Sequence, residues 1–149
     1  MATIRGFEFP DDLLYLIEQD TWVRLDSDGA ATIGMTSLGA HISGEFIEFM
    51  AKPVGESIER DRALGMLEMS KVIRSARSPI SGVVVASNEL VSATAGLINR
   101  DPYGEGWLVR LRPTAWENDA RLLVTGASIP RAVEAYMALL AETFGENPP

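Results

Sequence analysis

The amino-acid sequence predicts a mainly β fold, a small barrel or sandwich with flanking short helices and an amphipathic helix near the C-terminal end. Residues 22–113 contain short β-prone runs separated by turn residues, and residues 130–144 repeat apolar side chains at helical spacing. The length of 149 residues suits a single domain over residues 1–149. We expect its core over about residues 10–113 and a helical extension over about residues 128–145.

Five runs are predicted to be strands, because several of them alternate apolar and polar residues as half-buried strands do. They are residues 22–25, 31–33, 46–49, 82–85 and 107–111. Glycine, proline and aspartate mark turns between them, at residues 28–29, 53–55, 81–82 and 101–104. The sequence therefore predicts several short strands with tight connections.

Helices are predicted on either side of these strands and between them. Two short ones are expected over residues 11–17 and 37–42, and a longer one over residues 130–144. The long helix carries an apolar stripe made of Ile129, Ala132, Val133, Tyr136, Met137, Leu140 and Phe144. Pro130 suits its first turn and Gly145 its end. We expect the stripe to cover the β core, with a dimer or partner surface as the alternative.

Composition excludes several classes of function. The formal net charge of -8 argues against nucleic-acid binding, which draws its affinity from clustered Lys and Arg. No apolar run approaches the roughly 20 residues that span a bilayer, and residues 1–10 lack the basic start and apolar block of a signal peptide. We therefore expect a cytoplasmic protein without a membrane partner.

The residue types for catalysis and metal binding are scarce. The chain has no cysteine and one histidine, His41, so neither a metal site nor a nucleophile-base pair can be assembled from the sequence. His41 is expected to be a polar helix residue. We predict a protein without a catalytic site or a metal.

Lysine is rare in the chain, occurring only as Lys52 and Lys71. Two β-prone runs flank Ser70-Lys71, which is how a tight hairpin presents a lysine at its tip. A lysine in such a turn is more often a solvated charge, so the spacing alone does not assign it a function. Its amine can nevertheless form an amide, which a guanidinium does not do in ordinary protein chemistry.

Three segments of the chain carry recognisable motifs: Glu68-Met69-Ser70-Lys71, Ser-Pro-Ile-Ser-Gly at residues 78–82, and Asn-Arg-Asp-Pro-Tyr-Gly-Glu-Gly-Trp-Leu at residues 99–108. The first two resemble the Glu-Ser-Val-Lys and Ser-Pro-x-Ser-Gly of the lipoylation hairpin in the glycine cleavage H-protein family. The third resembles that family's Asn-x-Asp-Pro-Tyr-Gly-x-Gly-Trp-Leu. The resemblance runs from about Pro10 to Pro113.

This resemblance implies a lipoyl/biotinyl-type barrel-sandwich hybrid and a non-catalytic carrier with lipoate attached covalently to Lys71. Glu68 and Gly82 are implied to be the recognition residues for the lipoylating enzyme, a lipoate-protein ligase or lipoyl transferase. A biotinyl carrier is the neighbouring alternative, but its motif places Met on both sides of the lysine. Here Ser70 and Val72 flank Lys71, which favours lipoate.

The closing motif is interpreted as scaffold rather than as a contact of the lipoyl arm. Pro102, Gly104 and Gly106 permit a tight turn, and Trp107 is expected to bury its ring at the start of a strand.

Departures from the family pattern concern partner choice. The chain reads Asp20-Thr21-Trp22 where the family has His-Glu-Trp, and Arg74 and Arg77 add positive charge after the lysine. We interpret Arg74 and Arg77 as partner-docking residues, because such charges steer association. The interpretation favours the lipoate-binding proteins of the heterodisulfide-reductase-like sulfur oxidation system, with that complex as partner. The alternative is the glycine cleavage system, where the carrier transfers an aminomethyl group among glycine decarboxylase, aminomethyltransferase and dihydrolipoyl dehydrogenase.

Overall fold

The computed structural model describes residues 1–144. Its strands are β1 Ala2–Ile4, β2 Phe7–Phe9, β3 Leu14–Leu16, β4 Thr21–Leu25, β5 Ala31–Met35, β6 Phe46–Ala51, β7 Ser57–Ile58, β8 Ala63–Met69, β9 Ile73–Arg77, β10 Gly82–Ser87 and β11 Val109–Pro113. Its α-helices are α1 Ser37–Ser43, α2 Glu89–Ala93, α3 Leu97–Arg100, α4 Trp116–Ala120 and α5 Ile129–Phe144. All five predicted strands are present, although the last begins at Val109 because the Trp107 amide still donates to the turn carbonyl of Gly104.

The strands form three separate sheets. The largest has the order β3-β4-β5-β11-β10-β7, the second is β6-β8-β9, and β1 pairs with β2. Side chains from the two larger sheets meet in one buried cluster, among them Val23 and Ile33 from the first and Leu64 and Leu67 from the second. The mainly β prediction is confirmed, as a sandwich of open sheets; the hydrogen-bonded strands of residues 1–144 do not close into a barrel.

Strand β4 separates this core from a second one. Successive side chains of a strand point to opposite faces, so Val23 enters the first cluster while Trp22 enters the other. The second cluster also takes Phe9, Leu38 and five side chains of the α5 stripe, Ile129, Val133, Tyr136, Met137 and Leu140. The expectation that the stripe covers the β core is thus confirmed, and the N-terminal β1-β2 hairpin shares that cover.

The prediction of a helix over residues 11–17 is wrong. Leu13, Tyr15 and Ile17 are all buried, and their spacing of two is that of a strand. Tyr15 lies opposite Trp22 in the ladder between β3 and β4, and a single 3-10 turn, Ile17–Gln19, follows. Pairing with β4 therefore overrides the local helical signal.

The other predicted helices are confirmed. Helix α1 begins after Thr36, whose hydroxyl accepts from the amide of Gly39 at 3.0 Å, and α5 begins at Ile129. Gly145, the expected end of the long helix, lies outside the described residues. Helices α2, α3 and α4 were not predicted, because four or five residues are too few to display a periodicity. No helix in residues 1–144 is long and apolar enough to cross a membrane.

Candidate functional site

Lys71 lies at the tip of the hairpin that joins β8 to β9. Glu68 pairs with Ile73, and the Met69 amide donates to the Val72 carbonyl at 2.9 Å, which leaves Ser70 and Lys71 as the loop. Both loop residues are exposed. The tight hairpin with an exposed lysine at its tip is confirmed.

The base of this hairpin is held by the core. Leu67 and Met69 from β8 and Ala76 from β9 are buried in the first cluster. A close-packed interior resists displacement, so the strands below Lys71 are fixed while its side chain extends into solvent. The arrangement presents one primary amine on a rigid support.

The two lysines differ in their surroundings. The Lys52 ammonium lies 3.9 Å from the carboxylate of Glu56. Among the described residues, no carboxylate lies within the 4.0 Å ion-pair distance of Lys71. Converting the Lys71 amine to an amide therefore breaks no ion pair of the described chain.

Glu68 lies on the outer face of the three-stranded sheet, opposite Glu48 of β6. Glu68 is half-buried and Glu48 is exposed. Two like charges directly opposite one another in a sheet are destabilising, so this pair is not explained by stability. Sequence analysis missed Glu48 because its position beside Glu68 depends on the register between β6 and β8, which a bulge after Phe46 displaces.

Large apolar side chains are exposed around the same hairpin. Val72 and Ile73 are 57% and 55% exposed, and Ile47 and Met50 of β6 are 55% and 47% exposed. Grouped apolar exposure of this kind is typical of surfaces that other molecules contact.

Gly82, in contrast, is buried within the sheet between β7 and β11. A Cβ at this position would lie 2.7 Å from the carbonyl oxygen of Arg112 and 3.1 Å from the Leu111 Cβ. The side chain of residue 82 must therefore be a hydrogen atom for β10 and β11 to approach this closely. The structure gives Gly82 a steric role, and its role in enzyme recognition stays a prediction.

Arg74 and Arg77 have partners within the chain. Arg74 Nη1 lies 3.3 Å from the carboxylate of Asp20 and 3.2 Å from Ser43 Oγ. Arg77 Nη1 donates to the Asp61 carbonyl at 2.9 Å, and 42% of its side chain is exposed against 29% for Arg74. Partner docking by these two arginines stays a prediction, with Arg77 the more accessible.

The closing motif forms the predicted turn. The amides of Gly104 and Gly106 both donate to the Asp101 carbonyl, and a Cβ on Gly106 would lie 2.4 Å from the Leu97 carbonyl oxygen. Asn99 links this turn to β6, because its side chain accepts from the Phe46 amide at 3.0 Å. The expectation for Trp107 was wrong, since its ring is only half-buried and precedes the strand.

His41 is exposed on α1, and its ring and the Phe7 ring are inclined to one another at a centroid distance of 5.2 Å. It is the polar helix residue that the sequence predicted. The described part of the chain holds no group of three or more His, Cys, Asp or Glu arranged to bind a metal ion.

Comparison with known proteins identifies the family to which the chain is similar. Residues 13–136 match the model of the family described as glycine cleavage H-protein. Glycine cleavage system H protein 2 of Aquifex aeolicus is 36% identical over 143 residues, which cover 96% of this chain and 89% of the relative. Glycine cleavage system H protein 5 of the same organism is 34% identical over 128 residues, covering 83% of this chain and 86% of the relative.

A solved structure gives the same result for the fold. The glycine cleavage system H protein from Mycobacterium marinum superposes with a TM-score of 0.74 at 27% identity, covering 85% of this chain and 99% of that one. The family model spans the hairpin, the closing motif and the first half of α5. The chain belongs to the glycine cleavage H-protein family.

Proposed function

We propose that the protein is a lipoyl carrier, without turnover of its own, whose lipoyl group is attached through an amide to Lys71. The observation that carries the proposal is the exposed Lys71 amine at the tip of a two-residue loop, on strands anchored in the core. Membership of the H-protein family supports it.

The surroundings of Lys71 fit the attachment. The amine is exposed, so a lipoylating enzyme can reach it, and amide formation removes a charge that has no ion-pair partner among residues 1–144. When attached, lipoate supplies a cyclic disulfide that can take up electrons or a carried group. The chain itself contributes no cysteine, so its own residues serve to hold and present that group.

The hairpin's outer face suits recognition by enzymes. Glu68 carries a carboxylate beside the loop, and the exposed side chains of Val72, Ile73 and Met50 provide apolar contact area around it. We propose that the lipoylating enzyme contacts Glu68 directly. Gly82 acts at a distance, because its lack of a side chain keeps the strand after the hairpin in place.

Peptide mass spectrometry after incubation with a lipoate-protein ligase tests the proposal. We expect lipoyl mass on the Lys71 peptide in the wild type and in Lys52→Arg, the matched control, and none in Lys71→Arg. The free energy of unfolding of Lys71→Arg should lie within about 0.5 kcal/mol of the wild-type value, because the substitution is at an exposed loop position. Lipoyl mass on Lys52, or none on either lysine, would refute the assignment.

For the partner set, the names of the relatives favour glycine cleavage. In that system the partners are glycine decarboxylase, aminomethyltransferase and dihydrolipoyl dehydrogenase. The second candidate is the heterodisulfide-reductase-like complex of sulfur oxidation, favoured by the partly exposed guanidinium of Arg77, which lies in β9 at the end away from the loop. The two Aquifex aeolicus relatives, numbered 2 and 5, also indicate that several H proteins coexist in one organism.

Reconstitution separates these two candidates. Lipoylated protein is supplied to glycine decarboxylase with labelled bicarbonate, and glycine-dependent exchange is measured beside a pull-down from native extract. Efficient exchange supports the glycine cleavage assignment and rejects the sulfur-oxidation candidate. If no exchange occurs and the pull-down recovers the reductase-like subunits, the result supports the sulfur-oxidation candidate and rejects glycine cleavage. In that case Arg77→Ser should recover less of those subunits.

A further inference from the structure

Asp20 is a buried carboxylate at which three distant parts of the chain meet. It is 2% exposed and lies immediately before β4. Its Oδ1 accepts from the Tyr136 hydroxyl of α5 at 2.8 Å, and its Oδ2 lies 3.3 Å from Arg74 Nη1 of β9. The same Nη1 lies 3.2 Å from Ser43 Oγ at the end of α1. We call these four residues the Asp20 network.

The backbone around Asp20 is held as tightly as its side chain. Asp20 has a φ of 65°, a left-handed conformation that costs energy for a residue with a Cβ. Its amide donates to Ile17 and its carbonyl accepts from Thr36. A Cβ on Gly39 of α1 would lie 2.3 Å from the Asp20 Cβ, so the helix packs directly against it.

A contribution to stability does not by itself explain why a carboxylate is buried at this position. Burial raises the pKa of Asp20, and the charge of Arg74 and the hydrogen bond from Tyr136 oppose that rise. A buried ion pair is often no more stable than apolar residues of the same volume, and its best-attested use is to select one arrangement of the chain. The question is then which arrangement this network selects.

Its position answers that question. Strand β9 is an edge strand, and among the strands of residues 1–144 its neighbour in the sheet is β8 alone. Arg74 lies in it opposite Leu67, three residues after Lys71. A second contact joins β9 to the start of β4, because the Thr21 hydroxyl donates to the Arg77 carbonyl at 3.1 Å. Strand β9 is thus held at the start of β4 by two contacts, one through Arg74 and one through Arg77.

We propose that Asp20 and Tyr136 are positioning residues that act through Arg74 to hold the Lys71 hairpin in one orientation, and so couple α5 to the attachment site. Helix α5 then does more than cover the second core, because its Tyr136 hydroxyl donates a hydrogen bond to the Asp20 carboxylate. The significance of this coupling for modification rests on the proposed function of Lys71. The coupling itself is a property of the unmodified chain.

Amide hydrogen exchange of the unmodified protein tests the coupling, with Tyr136→Phe as the main variant because it deletes one oxygen atom. Loss of a hydrogen bond to a charged group weakens the network, so β9 amides should exchange about tenfold faster. Amides between β5 and β11 should change less than about twofold, since local opening of β9 leaves them paired.

Tyr103→Phe is the matched control. Its hydroxyl is likewise bound inside the chain, donating to the Glu8 carbonyl at 2.6 Å, but it does not contact the Asp20 network. It should leave β9 exchange unchanged relative to the other strands. Arg74→Met should reproduce the effect of Tyr136→Phe, and Arg74→Lys, which restores a cation, should reverse part of it.

Lipoylation kinetics supply a second readout. Tyr136→Phe should lower kcat/KM for a lipoate-protein ligase several-fold, whereas Tyr103→Phe should not. Unchanged β9 exchange in Tyr136→Phe, or equal acceleration of all amides, would overturn the coupling even where the wild type is lipoylated normally. Selective acceleration of β9 in a chain whose Lys71 is never modified would retain the coupling and reject the proposed function instead.

Discussion

At the residue scale, the side chains of the candidate site come from neighbouring positions, whereas those of the Asp20 network come from distant parts of the chain. Lys71 and Glu68 lie three positions apart in one hairpin, and their proposed roles came from the resemblance of this continuous segment to a family motif. Asp20 carried one signal, as a departure from His in the family pattern. Its partners Arg74 and Tyr136 lie 54 and 116 residues away, and no periodicity indicates that they meet.

Gly82→Ala tests the close approach of β10 to β11. The added Cβ would lie 2.7 Å from the Arg112 carbonyl oxygen, and relieving such a contact costs about 1 to 3 kcal/mol. Urea denaturation should show a free energy of unfolding lower than that of the wild type by this amount. Ser87→Ala, at the exposed end of the same strand, should stay within about 0.5 kcal/mol of the wild type. Equal stability of Gly82→Ala and the wild type would disprove the steric role.

Asp26 gives stability a defined pH dependence. Partial burial works to raise its pKa, but hydrogen bonds from Thr32, Arg24 and Arg110 outweigh burial and hold the pKa below its ordinary value. A lowered pKa stabilises the folded state above the unfolded value of about 3.9, and this stabilisation disappears as the pH falls through the folded value. Asp26→Asn should therefore lower the free energy of unfolding more at pH 7 than at pH 3. An equal loss at both would contradict this assignment.

At the element scale, strong periodicity was a reliable guide and short elements were not. Helix α5 was predicted over residues 130–144 because its apolar stripe repeats over four turns. Residues 11–17 were assigned to a helix, yet Leu13, Tyr15 and Ile17 follow the period of a strand. The Lys71 hairpin was predictable because its turn residues and strands are adjacent in the chain. The register that sets Glu48 beside Glu68 was not, because a bulge in β6 shifts it.

The stripe of α5 makes a quantitative prediction. Met137 is 1% exposed within the second core, whereas Leu139 on the same helix is 51% exposed. Met137→Ala should therefore cost about 2 to 5 kcal/mol through lost burial and a cavity. Leu139→Ala should change stability by less than about 0.5 kcal/mol. Chemical denaturation of both variants measures the difference, and similar losses would show that α5 packs on another face.

At the scale of the whole molecule, two cores separated by β4 support one exposed hairpin. The order β3-β4-β5-β11-β10-β7 places β11 beside β5, two strands far apart in the sequence, and such an order cannot be read from alternation within single strands. The net charge of -8 and the lack of cysteine were available from composition. They constrain function because any thiol or disulfide chemistry must come from an attached group.

Thiol titration of the loaded protein tests the central claim most directly. The chain has no cysteine, so every thiol found after reduction with a phosphine and removal of the reductant belongs to an attached group. Lipoylated wild type should give about two thiols per chain, because reduction of one cyclic disulfide yields a dithiol. Lys71→Arg, treated with the same ligase, should give none. Thiols retained in Lys71→Arg, or absent from the ligase-treated wild type, would contradict a lipoyl carrier with its arm on Lys71.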